Sequence, residues 1–81
     1  MARIMVIDDD ETVRDVLNSF LVEKGHEVVT YGSGEEGLEV LLTERFDAAL
    51  IDLVMPGKGG LEILKELSSR KIRLPLIIIT A

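Results

Sequence analysis

The sequence contains no cysteine, which excludes a disulfide framework and a zinc site built on thiolates. No stretch approaches the ~18 consecutive apolar residues that a membrane span needs, and the start of the chain has too few apolar residues for a signal peptide. The chain also lacks a linker, a low-complexity tract and an internal repeat. With these classes excluded, we expect one cytoplasmic domain that does not contact a membrane.

Positive charge is scarce as well. Lysine and arginine total 9 residues against 15 acidic ones, which gives a net charge of -6. This balance argues against direct nucleic-acid contact and against binding to an anionic membrane surface, and it favours a partner or ligand that carries positive charge. The length of 81 residues allows one small domain with a modest core.

Strand-like apolar runs alternate with helical apolar spacing along the whole chain. Strands are predicted at 4–7, 27–31, within 46–57 and at 74–80, and helices at 11–24, 34–44 and 60–69. The order β-α-β-α-β-α-β predicts an α/β fold with a parallel sheet and right-handed crossovers. The uninterrupted apolar run at 4–7 indicates a strand that is covered on both faces.

Capping residues and apolar stripes define the three helices. The first has Asp9 or Asp10 as its candidate N-cap and Gly25 as its stop, and Ser33 with Glu36 forms a capping-box pattern at the start of the second. We expect one stripe of each helix to be buried. The stripes are Val13, Val16, Leu17, Phe20 and Leu21 in the first helix, Leu38, Leu41 and Leu42 in the second, and Leu61, Leu64 and Leu67, flanked by Ile63, in the third.

The fourth predicted strand is apolar throughout and is followed only by Ala81. An uncovered hydrophobic edge strand is normally covered or blunted in natural proteins. We therefore expect the 81 residues to be the N-terminal part of a larger domain, or to be completed by a partner chain. On their own, they are expected to self-associate through this strand.

Oxygen-bearing side chains follow three of the predicted strands: Asp8 and Asp9 after the first, Asp52 at the end of the third and Thr80 at the end of the fourth. The carboxyl ends of parallel strands share one edge, which is where open α/β sheets bind ligands. Two carboxylates ~4 Å apart repel by about 4 kcal/mol at an effective dielectric near 20, so three of them require a cation. Oxygen ligands of this kind suit Mg²⁺, which would attract a phosphoryl group and leave one carboxylate free to attack phosphorus.

Several motifs resemble the receiver domain of two-component response regulators. They are IMVIDD at 4–9, Arg14 five residues beyond the second acid, LIDLVMPG at 50–57, Gly60 at the start of the third helix and IIITA at 77–81. The match spans the whole chain in the family's order. It implies a flavodoxin-like, three-layer α/β/α fold with strand order 2-1-3-4 here. It also implies that 1–81 is a single receiver-like domain without its final α-β-α portion.

The resemblance implies that Asp52 is a phosphoacceptor, which takes a phosphoryl group from a histidine kinase or a phosphotransfer protein. Asp9 would bind Mg²⁺ directly, Asp8 largely through water, and Val54 through its backbone carbonyl. A domain of this kind phosphorylates itself and is not a turnover enzyme. An effector domain that regulates transcription would lie beyond it.

Other family residues complete the phosphoryl site. Thr80 would hydrogen-bond the phosphoryl group and act in a conformational switch, and the Ala81 backbone amide would contribute a second contact. The family's lysine after the fifth strand and its aromatic residue on that strand have no counterpart in these 81 residues. Lys58, in the loop after Asp52, is interpreted as a solvated loop residue.

Two other interpretations remain open at this point. The run DDDETV at 8–13 also satisfies the Asp-x-Asp-x-Thr signature of haloacid-dehalogenase-type phosphatases, in which Asp8 would be the nucleophile, Asp10 the acid/base and Thr80 a phosphate ligand. That interpretation leaves the 52–57 run unexplained, and a capped helix begins where those enzymes usually insert an irregular turn. The third possibility is a receiver-like scaffold or dimerisation module that is not phosphorylated.

Overall fold

The computed structural model describes residues 1–80. Strands and helices alternate in the order β1 (Arg3–Ile7), α1 (Glu11–Glu23), β2 (Glu27–Tyr31), α2 (Gly34–Thr43), β3 (Ala48–Asp52), α3 (Gly60–Ser69) and β4 (Leu76–Ile79). The predicted order of elements is confirmed. Within the described residues, no helix has the length and apolar character needed to cross a membrane.

The four strands form one parallel sheet in the order β2-β1-β3-β4. Ile7 at the end of β1 pairs with Ile51 in β3, and Asp52 at the end of β3 pairs with Ile79 at the end of β4. The residues that follow β1, β3 and β4 therefore meet at one edge of the sheet. The predicted α/β class and the strand order 2-1-3-4 are confirmed.

The two faces of the sheet are covered unequally. One face packs against α2 and α3 and holds the core cluster Met5, Ile7, Leu38, Leu41, Ala49, Ile51, Met55, Ile63 and Leu67. The opposite face packs against α1, which lies mainly over β2 and β1, and an apolar groove remains between α1 and the side chains of Leu50 and Ile79. None of the α1 residues, Glu11–Glu23, is itself buried. The arrangement is three-layered, and its α1 side is the more exposed one.

Local hydrogen bonds fix the helix ends close to their predicted positions. Asp10 is the N-cap of α1, because its carboxylate accepts from the Thr12 backbone N–H at 2.9 Å. Gly25 follows the end of α1 with φ +91°, a left-handed conformation that favours glycine. At the start of α2, the Ser33 hydroxyl oxygen accepts from the Glu36 backbone N–H at 3.2 Å. These contacts are local in sequence, and capping residues therefore predict them well.

The buried face of α3 differs from the predicted one. Ile63 and Leu67 are 0% and 2% exposed, whereas Leu61 and Leu64 are 49% and 43% exposed. The close approach of Gly60 to the sheet explains why α3 is rotated about its axis from the predicted orientation. A Cβ at this position would lie 3.0 Å from an isoleucine side chain of β4. The helix therefore begins in close contact with the sheet along the face that contains Gly60, Ile63 and Leu67. The prediction that Leu61 and Leu64 are buried was wrong.

The stripe of α1 residues that the sequence predicted to be buried was too wide. Val16 and Phe20 are 62% and 55% exposed, and the residues turned toward the sheet are Val13, Leu17 and Leu21, which are half-buried. Helix α1 packs mainly on β2 and β1, and no described element covers enough of Val16 and Phe20 to remove them from solvent.

The predicted ends of β4 and the predicted buried residues of α2 also differ slightly from the structure. β4 begins at Leu76 and ends at Ile79, inside the predicted range 74–80. Proline has no N–H, and Pro75 joins the ladder only through its carbonyl, which accepts from Ala49 at 3.0 Å. In α2, Leu42 is half-buried and not part of the buried core.

Candidate functional site

Three carboxylates, Asp8, Asp9 and Asp52, form an acidic cluster at the carboxyl edge of the sheet. One oxygen from each carboxylate lies within 4.8 Å of the others. The pairing of β1 with β3 brings them together, because the two strands end side by side. The sequence predicted that these acids share one edge, and the structure brings them together there.

Asp8 is the buried member of the acidic cluster, with 3% of its surface exposed. Its Oδ1 accepts a hydrogen bond from the Asp10 backbone N–H at 2.9 Å. Burial raises the pKa of Asp8 above the ordinary value of 3.8, and the charges of Asp52 and Asp9 raise it further, while the Asp10 N–H opposes the rise. The site therefore concentrates negative charge that burial makes unfavourable.

Asp52 is half-buried and faces a small cavity. Its Oδ1 accepts from the Val54 backbone N–H at 3.3 Å, a long hydrogen bond. The cavity has a volume of about 230 Å³ and is lined by Asp52, Leu53, Val54 and Thr80, so Thr80 borders the same cavity as the acid. The Val54 side chain is 77% exposed. Ala81, whose amide was predicted to contact the phosphoryl group, lies outside the described residues.

The donor set of the acidic cluster fits a divalent cation. Carboxylate oxygens are hard ligands of the kind that Mg²⁺ prefers, and Mg²⁺ commonly keeps several waters beside one or two carboxylates. Among residues 1–80 this is the one group of three or more histidine, cysteine or acidic side chains close enough to share an ion. A bound cation would also compensate the charge that raises the pKa of Asp8.

Arg14 makes a contact that the sequence did not assign to any role. Its Nη1 donates to the backbone carbonyl of Asp8 at 2.7 Å. The same guanidinium lies against Gly32, where a Cβ would be 2.9 Å from Nη1. The positive charge of Arg14 therefore lies next to the main chain of Asp8, a member of the acidic cluster. The sequence signal was a basic residue on the first turn of the helix that follows the acids.

The loop of residues 53–59 connects Asp52 to α3 and folds back toward its own start. The Gly60 backbone N–H donates to the Leu53 carbonyl at 3.2 Å, so the loop closes beside Asp52. Lys58 directs its Nζ toward α3, where it lies 4.0 Å from a carboxylate oxygen of Glu66. The Lys58 ammonium therefore lies beside Glu66 of α3, and its interpretation as a solvated loop residue stays a prediction.

Fold and site together define a parallel α/β domain that presents an acidic, cation-binding type of cluster at the carboxyl edge of its sheet. The family model described as "Response regulator receiver domain" matches residues 4–81. The chain therefore belongs to the response regulator receiver family, and its fold is the flavodoxin-like fold of that family.

Known relatives agree with this assignment. The transcriptional regulatory protein AfsQ1 of Streptomyces coelicolor is 37% identical over 81 residues, which is 100% of this chain and 36% of AfsQ1. The Francisella response regulator 1452 receiver domain superposes with a TM-score of 0.96 at 30% identity, over 100% of this chain and 67% of that one. The chain thus spans about a third of the curated relative and two thirds of the solved receiver.

The response regulator TrrA of Thermotoga maritima is a third relative. Its structure in complex with Mg²⁺ and BeF has a TM-score of 0.93 at 37% identity, over 100% of this chain and 70% of TrrA. A further structure holds TrrA in complex with the histidine kinase ThkA, with a TM-score of 0.90 at the same identity and coverage.

Proposed function

We propose that the chain is a phosphoryl-accepting receiver in two-component signal transduction, with Asp52 as the phosphoacceptor. The observation that carries this proposal is the position of Asp52, which belongs to the acidic cluster and also lines the cavity that contains Thr80. Asp8 is buried, and Asp9 does not line that cavity. Asp52 is the carboxylate best situated to meet an incoming phosphoryl group.

In the proposed reaction, a carboxylate oxygen of Asp52 attacks the phosphorus of a phosphohistidine. The phosphorus–nitrogen bond breaks, the electron pair returns to the imidazole, and a proton from solvent completes the neutral histidine. The product is an acyl phosphate on Asp52. When bound, Mg²⁺ would screen the negative charge of the phosphoryl oxygens. The chain accepts one phosphoryl group in this scheme and does not turn over.

The other cluster residues have holding roles in this proposal. Asp9 would bind Mg²⁺ directly, Asp8 would hold it largely through water, and Val54 would contribute its backbone carbonyl. Thr80 donates its hydroxyl to a phosphoryl oxygen, and the Ala81 amide donates to another. Because Thr80 gains this partner only after phosphorylation, it can shift the balance between two conformations of the domain.

The proposed partners follow from the relatives. TrrA has been solved in complex with a histidine kinase, and we propose a histidine kinase or a phosphotransfer protein as the phosphodonor of this chain. AfsQ1 is a transcriptional regulatory protein of greater length. We therefore propose that residues 1–81 supply the β1–β4 part of a receiver whose phosphorylation controls an effector domain.

The phosphatase interpretation has less support. It makes Asp8 the nucleophile, yet Asp8 is 3% exposed and its carboxylate already accepts from the Asp10 backbone. Helix α1 also begins at Glu11, directly after the acids, and leaves no irregular turn there. An incomplete acid set would favour the scaffold interpretation, whereas all three acids are present and close together.

Beryllofluoride, a mimic of the phosphoryl group, tests the proposed function. We expect it to bind in the presence of Mg²⁺ and to shift the amide NMR resonances of Asp52, Val54 and Thr80, because these residues surround the proposed site. Both the 81-residue chain and an extended chain, continued by the remaining part of the TrrA receiver, are measured. The variant Asp15→Asn, which removes an exposed acid of α1, should respond like the wild type. An extended chain without Mg²⁺-dependent shifts would refute the phosphoacceptor role.

We further propose that the 81-residue chain self-associates through the outer edge of β4. Among the described residues β4 pairs only with β3, and Ile77 is 55% exposed. A free apolar strand edge favours pairing with a second copy. Sedimentation velocity over a range of concentrations should show association, and Ile77→Lys should weaken it, whereas Leu64→Lys on α3 should not. A wild-type chain that stays monomeric at high concentration contradicts the proposal.

A further inference from the structure

The N-terminal turn of α2 packs against the loop of residues 53–59, far from it in sequence. Gly34, the first residue of α2, is buried directly against the backbone of Lys58. A Cβ at Gly34 would overlap the Lys58 carbonyl oxygen and lie 2.8 Å from its carbonyl carbon. Backbone atoms cannot turn aside as the end of a side chain can. Any side chain at this position must therefore displace the loop or the helix.

The next residue of α2 makes a second contact with the same loop. The Glu35 carboxylate packs over Gly57, where a Cβ would lie 3.0 Å from Glu35 Cδ. Gly57 has φ +77°, so the loop turns there in a conformation that favours glycine. The outer side of the loop is thus shaped by two consecutive residues of α2.

The inner side of the loop is fixed by α3. The Gly59 backbone N–H donates to Glu62 Oε1 at 2.9 Å, and a Cβ at Gly59 would overlap the Leu53 carbonyl oxygen. The loop is therefore held between α2 and the start of α3. Because the Gly59 backbone lies against the Leu53 carbonyl oxygen, a displacement at Lys58 would be transmitted to Leu53 and its neighbour Val54.

Val54 connects this loop to the acidic cluster. Its backbone N–H donates to Asp52 Oδ1, and the distance of 3.3 Å is near the upper limit for such a bond. A shift of a few tenths of an ångström at Val54 would break it and release the Asp52 carboxylate. We infer that Gly34 is a positioning residue for the phosphoryl site: its missing side chain lets α2 hold the 53–59 loop where Val54 orients Asp52.

This inference rests on the proposed function only for the identity of the bound ion and phosphoryl group. The position of the loop itself is measured without either. Gly34→Ala in the metal-free 81-residue chain is expected to move the amide NMR resonances of Val54, Lys58 and Gly59. Its affinity for Mg²⁺, measured by titration, is expected to fall about tenfold or more, the effect typical of removing support behind metal ligands.

Leu41→Ala is the matched control, because Leu41 is buried near the opposite end of the same helix, where it lines a cavity with Phe46 and Ile72, and its truncation is expected to lower stability. It should leave the three amide resonances and the Mg²⁺ affinity near the wild-type values. The inference is overturned if Gly34→Ala shifts only α2 resonances, or if both variants lose Mg²⁺ affinity equally. An extended chain that does not bind Mg²⁺ would refute the proposed function, while the amide resonances of the metal-free chain would still decide the role of Gly34.

A second pair of variants keeps the test decisive if Gly34→Ala does not fold. Glu35 is exposed, so Glu35→Ala should fold while it removes the carboxylate that packs over Gly57. The amide NMR resonance of Gly57 should shift in Glu35→Ala. It should keep its wild-type position in Glu35→Gln, because glutamine keeps the packing and removes only the charge. Equal behaviour of the two variants at Gly57 would overturn the role of α2 in shaping the loop.

Discussion

Asp52→Asn is expected to abolish the incorporation of a phosphoryl group from a small-molecule phosphodonor in the presence of Mg²⁺. The amide of asparagine is a very poor nucleophile toward phosphorus, whereas the size and the acceptor for the Val54 N–H are preserved. The measurement is mass spectrometry of the extended chain, with peptide mapping of the modified residue. Because the nucleophile is lost outright, we expect no detectable product.

The comparison with Asp8→Asn separates the proposed function from the phosphatase interpretation. Asp8→Asn should still carry its modification at Asp52, at a reduced rate, because only a holding residue has changed. Asp15→Asn should behave like the wild type. Labelling that persists in Asp52→Asn and disappears in Asp8→Asn would instead identify Asp8 as the nucleophile.

Asp8→Asn is also expected to stabilise the metal-free chain at neutral pH and to remove its stabilisation by Mg²⁺. The substitution eliminates a buried charge beside two other carboxylates, and asparagine still offers an oxygen to the Asp10 N–H. We expect a gain on the order of 1–3 kcal/mol in the free energy of unfolding. In the wild type, Mg²⁺ at a concentration a hundred times its dissociation constant should raise the free energy of unfolding by about 2.7 kcal/mol. At the same concentration, Mg²⁺ should raise the free energy of unfolding of the variant only a little.

The pH dependence of this gain follows from the raised pKa of Asp8. Burial, followed by the charges of Asp52 and Asp9, makes the folded state hold the Asp8 proton more tightly than the unfolded chain does. The resulting stabilisation is fully present below the ordinary pKa of 3.8 and is lost as the pH rises through the raised value. Urea unfolding should therefore show the largest difference between variant and wild type at neutral pH. A variant that is less stable at neutral pH without Mg²⁺ would contradict this account.

Much of the site was predictable because the ends of strands are visible in the sequence. An apolar run that stops at Asp8, and another that stops at Asp52, place two acids at one edge as soon as the sheet is parallel. The cavity beside Thr80 follows from the same rule, since β4 lies next to β3. The contact of Arg14 with the Asp8 carbonyl was not predictable, because it depends on the rotamer of a long side chain.

The sequence by itself determined the order of the elements, most of their ends and the edge on which the acids lie, because periodicity, caps and strand ends are local properties. Only the tertiary structure decided which face of α3 is buried, since that depends on how closely Gly60 approaches β4. It alone also decided that Gly34 lies against Lys58. Such contacts join residues that are distant along the chain, and the packing of whole elements, not the local pattern, sets which backbone atoms come into contact.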